Sequence, residues 1–251
     1  MNAIAETARG ALASALWLGG MPFLNMRIAR STTDTAQARR LISAHCRRFM
    51  DRCRVKVEMD GDPPPPGQGC VLAYNESSFM DVAAFAMVMW PYVERAAAAE
   101  LYGYIPFGRK ATTTSRIALV PRGNRAGTDK LLDQMVAAVK TGERVAWGGE
   151  GRIAGIDGIG HFKIGGSLLA IRAQAPVRPV VFHGGHALMP LGSVRARPGT
   201  IHVRFGAPLP TEGLTEKDAR GLADRTRAVF ETMYQDLRQK SRERSAVASR
   251  P

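Results

Sequence analysis

Residues 70–81 read CVLAYNESSFMD. The opening apolar run, Cys70 to Ala73, is short enough for a strand buried on both faces and passes into Tyr74. The chain then sets two carboxylates, Glu76 and Asp81, five residues apart, with only Ser77, Ser78, Phe79 and Met80 between them. Taken alone, the stretch reads as a polar loop ending in a helix N-cap, because an apolar run of helical character continues from Asp81 to Trp90 and stops at Pro91. The other reading is a chemical site at a strand end. The rest of the chain decides between them.

Working outward, the turn GDPPPPG (61–67) separates this strand from a shorter one at Val55–Met59. Downstream, Ile117–Val120, Arg144–Trp147, Val177–Phe182 and Ile201–Phe205 have strand character. Helical spacing marks Thr128–Thr141, Ser167–Ala173 and Asp218–Leu237. No internal repeat is visible. Alternating strands and helices predict a single α/β domain over residues 55–238, with a largely parallel central sheet flanked by helices. Three polar clusters follow strand ends: Asn75–Asp81, Arg122-Gly123-Asn124-Arg125 and Gly149-Glu150-Gly151-Arg152. Ligands bind at the carboxyl ends of strands in open α/β sheets. Together the clusters offer two kinds of group, carboxylates and arginines, suited to an anionic, phosphate-bearing substrate.

Composition bounds the partners. The 251 residues carry a formal charge of +13, from 35 basic and 22 acidic side chains. Such an excess favours acidic partners, but no helix-turn-helix, zinc or stacking-aromatic signature supports nucleic acid. The three cysteines, Cys46, Cys53 and Cys70, form no C-x-x-C and point to a reducing compartment without structural zinc. Residues 1–56 hold ten Arg and Lys against three acids. Between Arg9 and Arg27 lie seventeen uncharged residues, interrupted by Gly19-Gly20 and Pro22 and short of the roughly 20 a bilayer span needs. Glu6 argues against a signal peptide. The segment reads either as a core helix or as a helix in the membrane interface, with Trp17 at headgroup level. The basic run ARRLISAHCRRFMDRCRVK (38–56) reads as an amphipathic helix whose charged face rests on anionic lipid or on solvent. Residues 1–54 are thus expected to form a helical, membrane-associating segment, and residues 239–251 a basic tail.

The motifs, in this order, resemble the glycerolipid acyltransferase superfamily, typified by the 1-acylglycerol-3-phosphate acyltransferases. The family's first motif, Asn-His-x-Ser-x-x-Asp, is similar to NESSFMD (75–81). Its Arg after an apolar strand is matched by IALVPR (117–122), and Phe-Pro-Glu-Gly-Thr-Arg in part by GGEGR (148–152). Phe-Lys-x-Gly is matched by FKIG (162–165), and a Pro-containing strand by APVRPV (175–180). The resemblance spans roughly residues 55–210.

It implies transfer of an acyl chain from acyl-CoA or acyl carrier protein to a lysophospholipid-like acceptor, without cofactor or metal, at the cytoplasmic face of a membrane, by a peripheral or monotopic protein. The expected partners are an anionic membrane surface, an acyl thioester donor that includes acyl carrier protein, and a lyso-lipid. By family analogy Asp81 supports the base, while Asn75, Ser78, Arg122, Arg125, Glu150, Gly151, Arg152 and Lys163 hold substrate. Backbone N–H groups near Gly149 and Gly151 are expected to receive the oxyanion. One departure bears on the chemistry: Glu76 stands where the family has its His base. A free Glu is about two pH units too acidic for this task, a deficit of about 3 kcal/mol. Burial beside Asp81 would raise its pKa, giving an activity rise between about pH 5 and 7. Otherwise His161, His183 or His186 reaches in from a later loop, or the chain is a catalytically silent lipid- or carrier-binding relative.

Overall fold

The computed structural model of the protein describes residues 3–248. The chain opens with α1 (Ala3–Ser31) and α2 (Thr35–Cys53). Asp34 caps α2 by accepting the N–H groups of Ala36 and Gln37, and Arg54 closes it in the left-handed conformation at φ 57°. There follow β1 (Val55–Asp60), β2 (Cys70–Tyr74), α3 (Phe79–Val88), β3 (Arg95–Ala99), α4 (Gly108–Thr114), β4 (Ile117–Val120) and α5 (Arg125–Lys140). The last elements are β5 (Arg144–Gly148), α6 (Gly165–Ala173), β6 (Val177–His183), α7 (Gly185–Leu188), β7 (Gly199–Phe205) and α8 (Ala219–Ala248).

The seven strands form one sheet in the order β1-β7-β6-β2-β5-β3-β4. All neighbours are parallel except β6 and β7. The expected α/β architecture with a largely parallel sheet is therefore observed. In the central strand β2 all five residues are buried. Cys70, Leu72 and Tyr74 join the core beneath α1, α2 and α3, while Val71 and Ala73 join that beneath α5, α6 and α8. Alternation across a sheet covered on both sides explains the unbroken apolar run.

Several elements differ from the sequence expectation; the short helices α4 and α7 carried no signal, and three further cases are instructive. Strand β3, RAAAA, had no strand signal because alanine favours helix; its parallel pairing with β4 and β5 overrides that preference. Helix α1 continues through Gly19, Gly20 and Pro22, although Pro22 removes one helix hydrogen bond. Packing on α2 sustains it: Trp17 stacks on Phe49 at 4.8 Å, and Gly20 lies so close to His45 that a Cβ there would stand 2.7 Å from its Cε1. Trp17 is consequently buried in the core, not at a headgroup level. Burial of such a ring stabilises the fold by about 2–3 kcal/mol. Finally, α8 runs on to Ala248 where a tail was expected from Gln239. Gln239 bonds Glu243 at 2.9 Å along the helix, and Arg244 reaches Glu58 of β1 at 2.9 Å. Residues 249–251 lie outside the described residues.

Candidate active site

Strands β2, β3, β4, β5 and β6 end on the same side of the sheet, and the polar clusters meet there. At the end of β2, the Asn75 amide donates to Phe182 O at 3.0 Å and accepts Phe182 N–H at 2.9 Å. Asn75, 1% exposed, thus clips β2 to β6 and does not line the cavity described below, unlike its expected place on substrate. Ser78 is the N-cap of α3 and accepts the Met80 N–H at 3.0 Å, so it too is structural. Asp81, 1% exposed, accepts three bonds on Oδ2: Ser77 N–H at 2.7 Å, Ser77 O–H at 2.6 Å and Ser78 N–H at 3.1 Å. Its Oδ1 has no partner among the described residues and faces Gly185, where a Cβ would come within 2.0 Å of it. The N-cap reading of this stretch is thus observed at Ser78.

Glu76 is held by its backbone alone. Its N–H donates to Glu150 Oε2 at 3.0 Å, and its carbonyl accepts Ala154 N–H at 2.7 Å. Glu150 Oε1 accepts Gly160 N–H at 2.7 Å, so this carboxylate staples the glycine-rich loop 150–160 to the end of β2. The Glu76 side chain makes no hydrogen bond among the described residues and lines a cavity of about 520 Å³. Burial, followed by the charges of Asp81 and Glu150, pushes the Glu76 pKa up to about 8. Burial likewise pushes Glu150 up to about 7 against the two amides it accepts, and raises Asp81 against its three donors. Burial is the largest cause of the Glu76 shift, and the fold sets Glu150 beside it as a second carboxylate in addition to the expected Asp81.

The cavity has two unlike ends. One carries Glu76, Glu150, Gly151, Arg122 and Arg152. The other passes along the alanines of β3 to Met21 and Leu24 of α1, Ile42 of α2, and Trp90. Small side chains on β3 leave that space open. Arg122 is exposed, with its guanidinium 3.4 Å from Gly151 O, and Arg152 is exposed without an ion pair among the described residues. Arg125, in the first turn of α5, and Lys163 are exposed and do not line the cavity. The Gly149 N–H, expected to receive an oxyanion, is already bonded to Tyr74 O at 2.8 Å. Gly151 N–H has no partner among the described residues. None of His161, His183 and His186 lines the cavity; His161 lies 3.3 Å from Arg220, and His183 packs edge-on against Tyr234. Three cavity residues carried no motif signal: His45, whose Nε2–H donates to Trp17 O at 2.9 Å, Tyr74 and Tyr102.

The sequence profile of the family described as Acyltransferase matches residues 54–183, more than half of the chain. The chain belongs to the acyltransferase family. It is similar to the Caenorhabditis elegans protein named 1-acyl-sn-glycerol-3-phosphate acyltransferase acl-2, with 27% identity over 179 residues, 70% of this chain and 63% of that one. Identity to the human 1-acyl-sn-glycerol-3-phosphate acyltransferase alpha is 37% over 76 residues, covering 30% of this chain and 27% of the human one. The aligned stretches thus span less than two thirds of these relatives' own lengths. The fold matches the crystal structure of the LPA acyltransferase PlsC from Thermotoga maritima, with a TM-score of 0.67 at 20% identity over 94% of this chain and 95% of that one.

Proposed function

We propose that the protein transfers an acyl chain from a thioester, acyl-CoA or acyl carrier protein, to the hydroxyl of a lysophosphatidate-like acceptor at a membrane surface. The observation that carries this reading is the position of Glu76, a half-buried carboxylate with no side-chain hydrogen bond among the described residues, in a cavity lined by apolar side chains and by Arg122 and Arg152. The acyl chain occupies the alanine-lined space, while Arg122 and Arg152 face the acceptor phosphate. Glu76, once ionised, takes the acceptor's proton as its oxygen attacks the thioester carbonyl carbon. Collapse breaks the C–S bond, and the thiolate leaves with the proton that Glu76 held. Purified protein supplied with 1-acylglycerol-3-phosphate and either donor at pH 8–9 should form the diacyl product. Binding of the lysolipid without transfer from either donor would mark a silent relative instead.

Arg122→Ala and Arg152→Ala should each raise the KM for a phosphorylated acceptor on the order of 10-fold, through loss of a charge-assisted bond. Their kcat should change less, and a matched acceptor without phosphate should not distinguish them from the wild type. Unaltered KM in both variants would remove these residues from the site.

The membrane reading rests on a rim of exposed apolar side chains. Leu12, Leu16, Leu18 and Phe23 of α1 are exposed, as are Leu101, Tyr104 and Phe107. Asn25 donates to Pro106 O at 3.3 Å and Arg30 lies over the Phe107 ring at 5.6 Å, which sets this loop beside α1. No helix among the described residues is long and apolar enough to cross a membrane. Peripheral attachment predicts co-sedimentation with anionic vesicles and partial release in high salt. Protein that stays in the supernatant at low salt would refute it.

A further inference from the structure

Two tyrosines share the cavity with Glu76, and their hydroxyls differ. Tyr74 O–H donates to Ala97 O at 3.2 Å and is committed to the fold. Tyr102 O–H makes no hydrogen bond among the described residues, and it is not among the polar atoms sealed from solvent. Tyr102 stands just beyond the end of β3, in a short 3-10 turn over Glu100–Gly103. The turn is fixed on several sides. Tyr104 N–H bonds Leu101 O at 3.1 Å, and Gly108 packs so closely on the Tyr102 carbonyl that a Cβ there would lie 2.1 Å from its oxygen. Glu100 accepts the Arg122 N–H at 3.3 Å and pairs with Arg109 at 3.6 Å. β3 neighbours β5, and β5 neighbours β2, so Tyr102, Glu150 and Glu76 ring one end of the cavity. Burial and the nearby Glu76 carboxylate keep the phenol protonated well above the usual tyrosine range.

We infer that Tyr102 is a catalytic hydrogen-bond donor to the acyl carbonyl oxygen, with the free Gly151 N–H as the second donor of the oxyanion site. The inference rests on the acyltransferase reading above. As the acceptor oxygen bonds to the carbonyl carbon and its proton passes to Glu76, the C=O electron pair moves onto oxygen and is held by Tyr102 O–H. Collapse returns that pair to C=O and expels the thiolate, which takes the proton from Glu76. Tyr102 donates throughout and is never deprotonated. A donor aimed at charge that develops only in the transition state acts on kcat, and removing one commonly costs about 10²- to 10³-fold.

Tyr102→Phe removes one oxygen and no intramolecular bond, so its thermal stability should equal that of the wild type. Expected is a kcat fall on the order of 10²-fold, with KM for both substrates within about threefold and the acid limb of the pH profile unmoved. Tyr74→Phe, the control, should keep wild-type kcat. A Tyr102→Phe enzyme with wild-type kcat, with its loss confined to KM, or with a displaced acid limb would overturn the inference. A second measurement needs no turnover. A long-chain trifluoromethyl ketone, whose hydrate mimics the tetrahedral intermediate, should bind Tyr102→Phe about 10-fold more weakly than the wild type. Equal affinities would overturn the donor role, whereas a wild-type protein that binds the ketone tightly but transfers no acyl group would overturn the proposed function alone.

Discussion

Glu76→Gln is expected to lower acyl transfer by about 10²- to 10⁴-fold, the usual worth of a positioned general base. The amide keeps the size of the side chain and disturbs no bond, because the carboxylate makes none among the described residues. In the wild type, kcat/KM should rise with pH through about 8, where Glu76 ionises, and then level off. An activity plateau already reached at pH 6, or a Glu76→Gln enzyme of normal turnover, would exclude this base. Stability should respond in the opposite sense. Glu76 has an ordinary value of 4.5 and is raised to about 8 in the fold, so its contribution is full below pH 4.5 and lost as pH rises through 8. The full shift corresponds to destabilisation of about 5 kcal/mol above pH 8, and solvent at the half-buried side chain screens part of it. Glu76→Gln should therefore melt higher than the wild type at pH 9, by about 2 kcal/mol of stability, and equal it near pH 4. The active form is the less stable form.

Asp81→Asn should reduce turnover on the order of 10²-fold and also move the pH profile. Asp81 is one of the two charges that raise Glu76, so its loss should bring the acid limb to a pH below 8. Three donors converge on Asp81 Oδ2, and a neutral amide oxygen accepts them more weakly. The new NH₂ group would stand where Oδ1 already lacks a partner against Gly185. A stability loss of about 1–3 kcal/mol should follow, read by urea unfolding at pH 6. An acid limb that stays at 8 would show that Asp81 does not share the field of Glu76.

Much of this was legible because its information is local. The strand-loop-helix order of residues 70–90 follows from an apolar run, a polar break and a second apolar run, and the fold keeps that order. The three clusters were read together because each closes a strand, and parallel strands end on one side. What could not be read was the direction of side chains within a cluster. Asn75 and Ser78 have the same polarity as a substrate-binding residue, yet their partners, Phe182 and Met80, are backbone groups set by tertiary packing or helix capping. Lys163 and Arg125 lie in the right stretches but are exposed and do not line the cavity. Tyr102 was invisible because it hangs from β3, whose alanines disguise the strand. The same alanines make the cavity, so the function of that strand is the cause of its illegibility.

Position 76 has a longer consequence. The scaffold grips it through Glu150 and Ala154 on main-chain atoms and asks nothing of its side chain. On the proposed function, an imidazole in place of this carboxylate would break no side-chain hydrogen bond among the described residues, and Glu76→His should retain acyl transfer. What such an exchange alters is the acidity range in which the catalyst works, from an alkaline window to the near-neutral one of histidine. On the proposed function, the working pH of this architecture is thus a heritable setting, carried by one side chain that the scaffold does not bond.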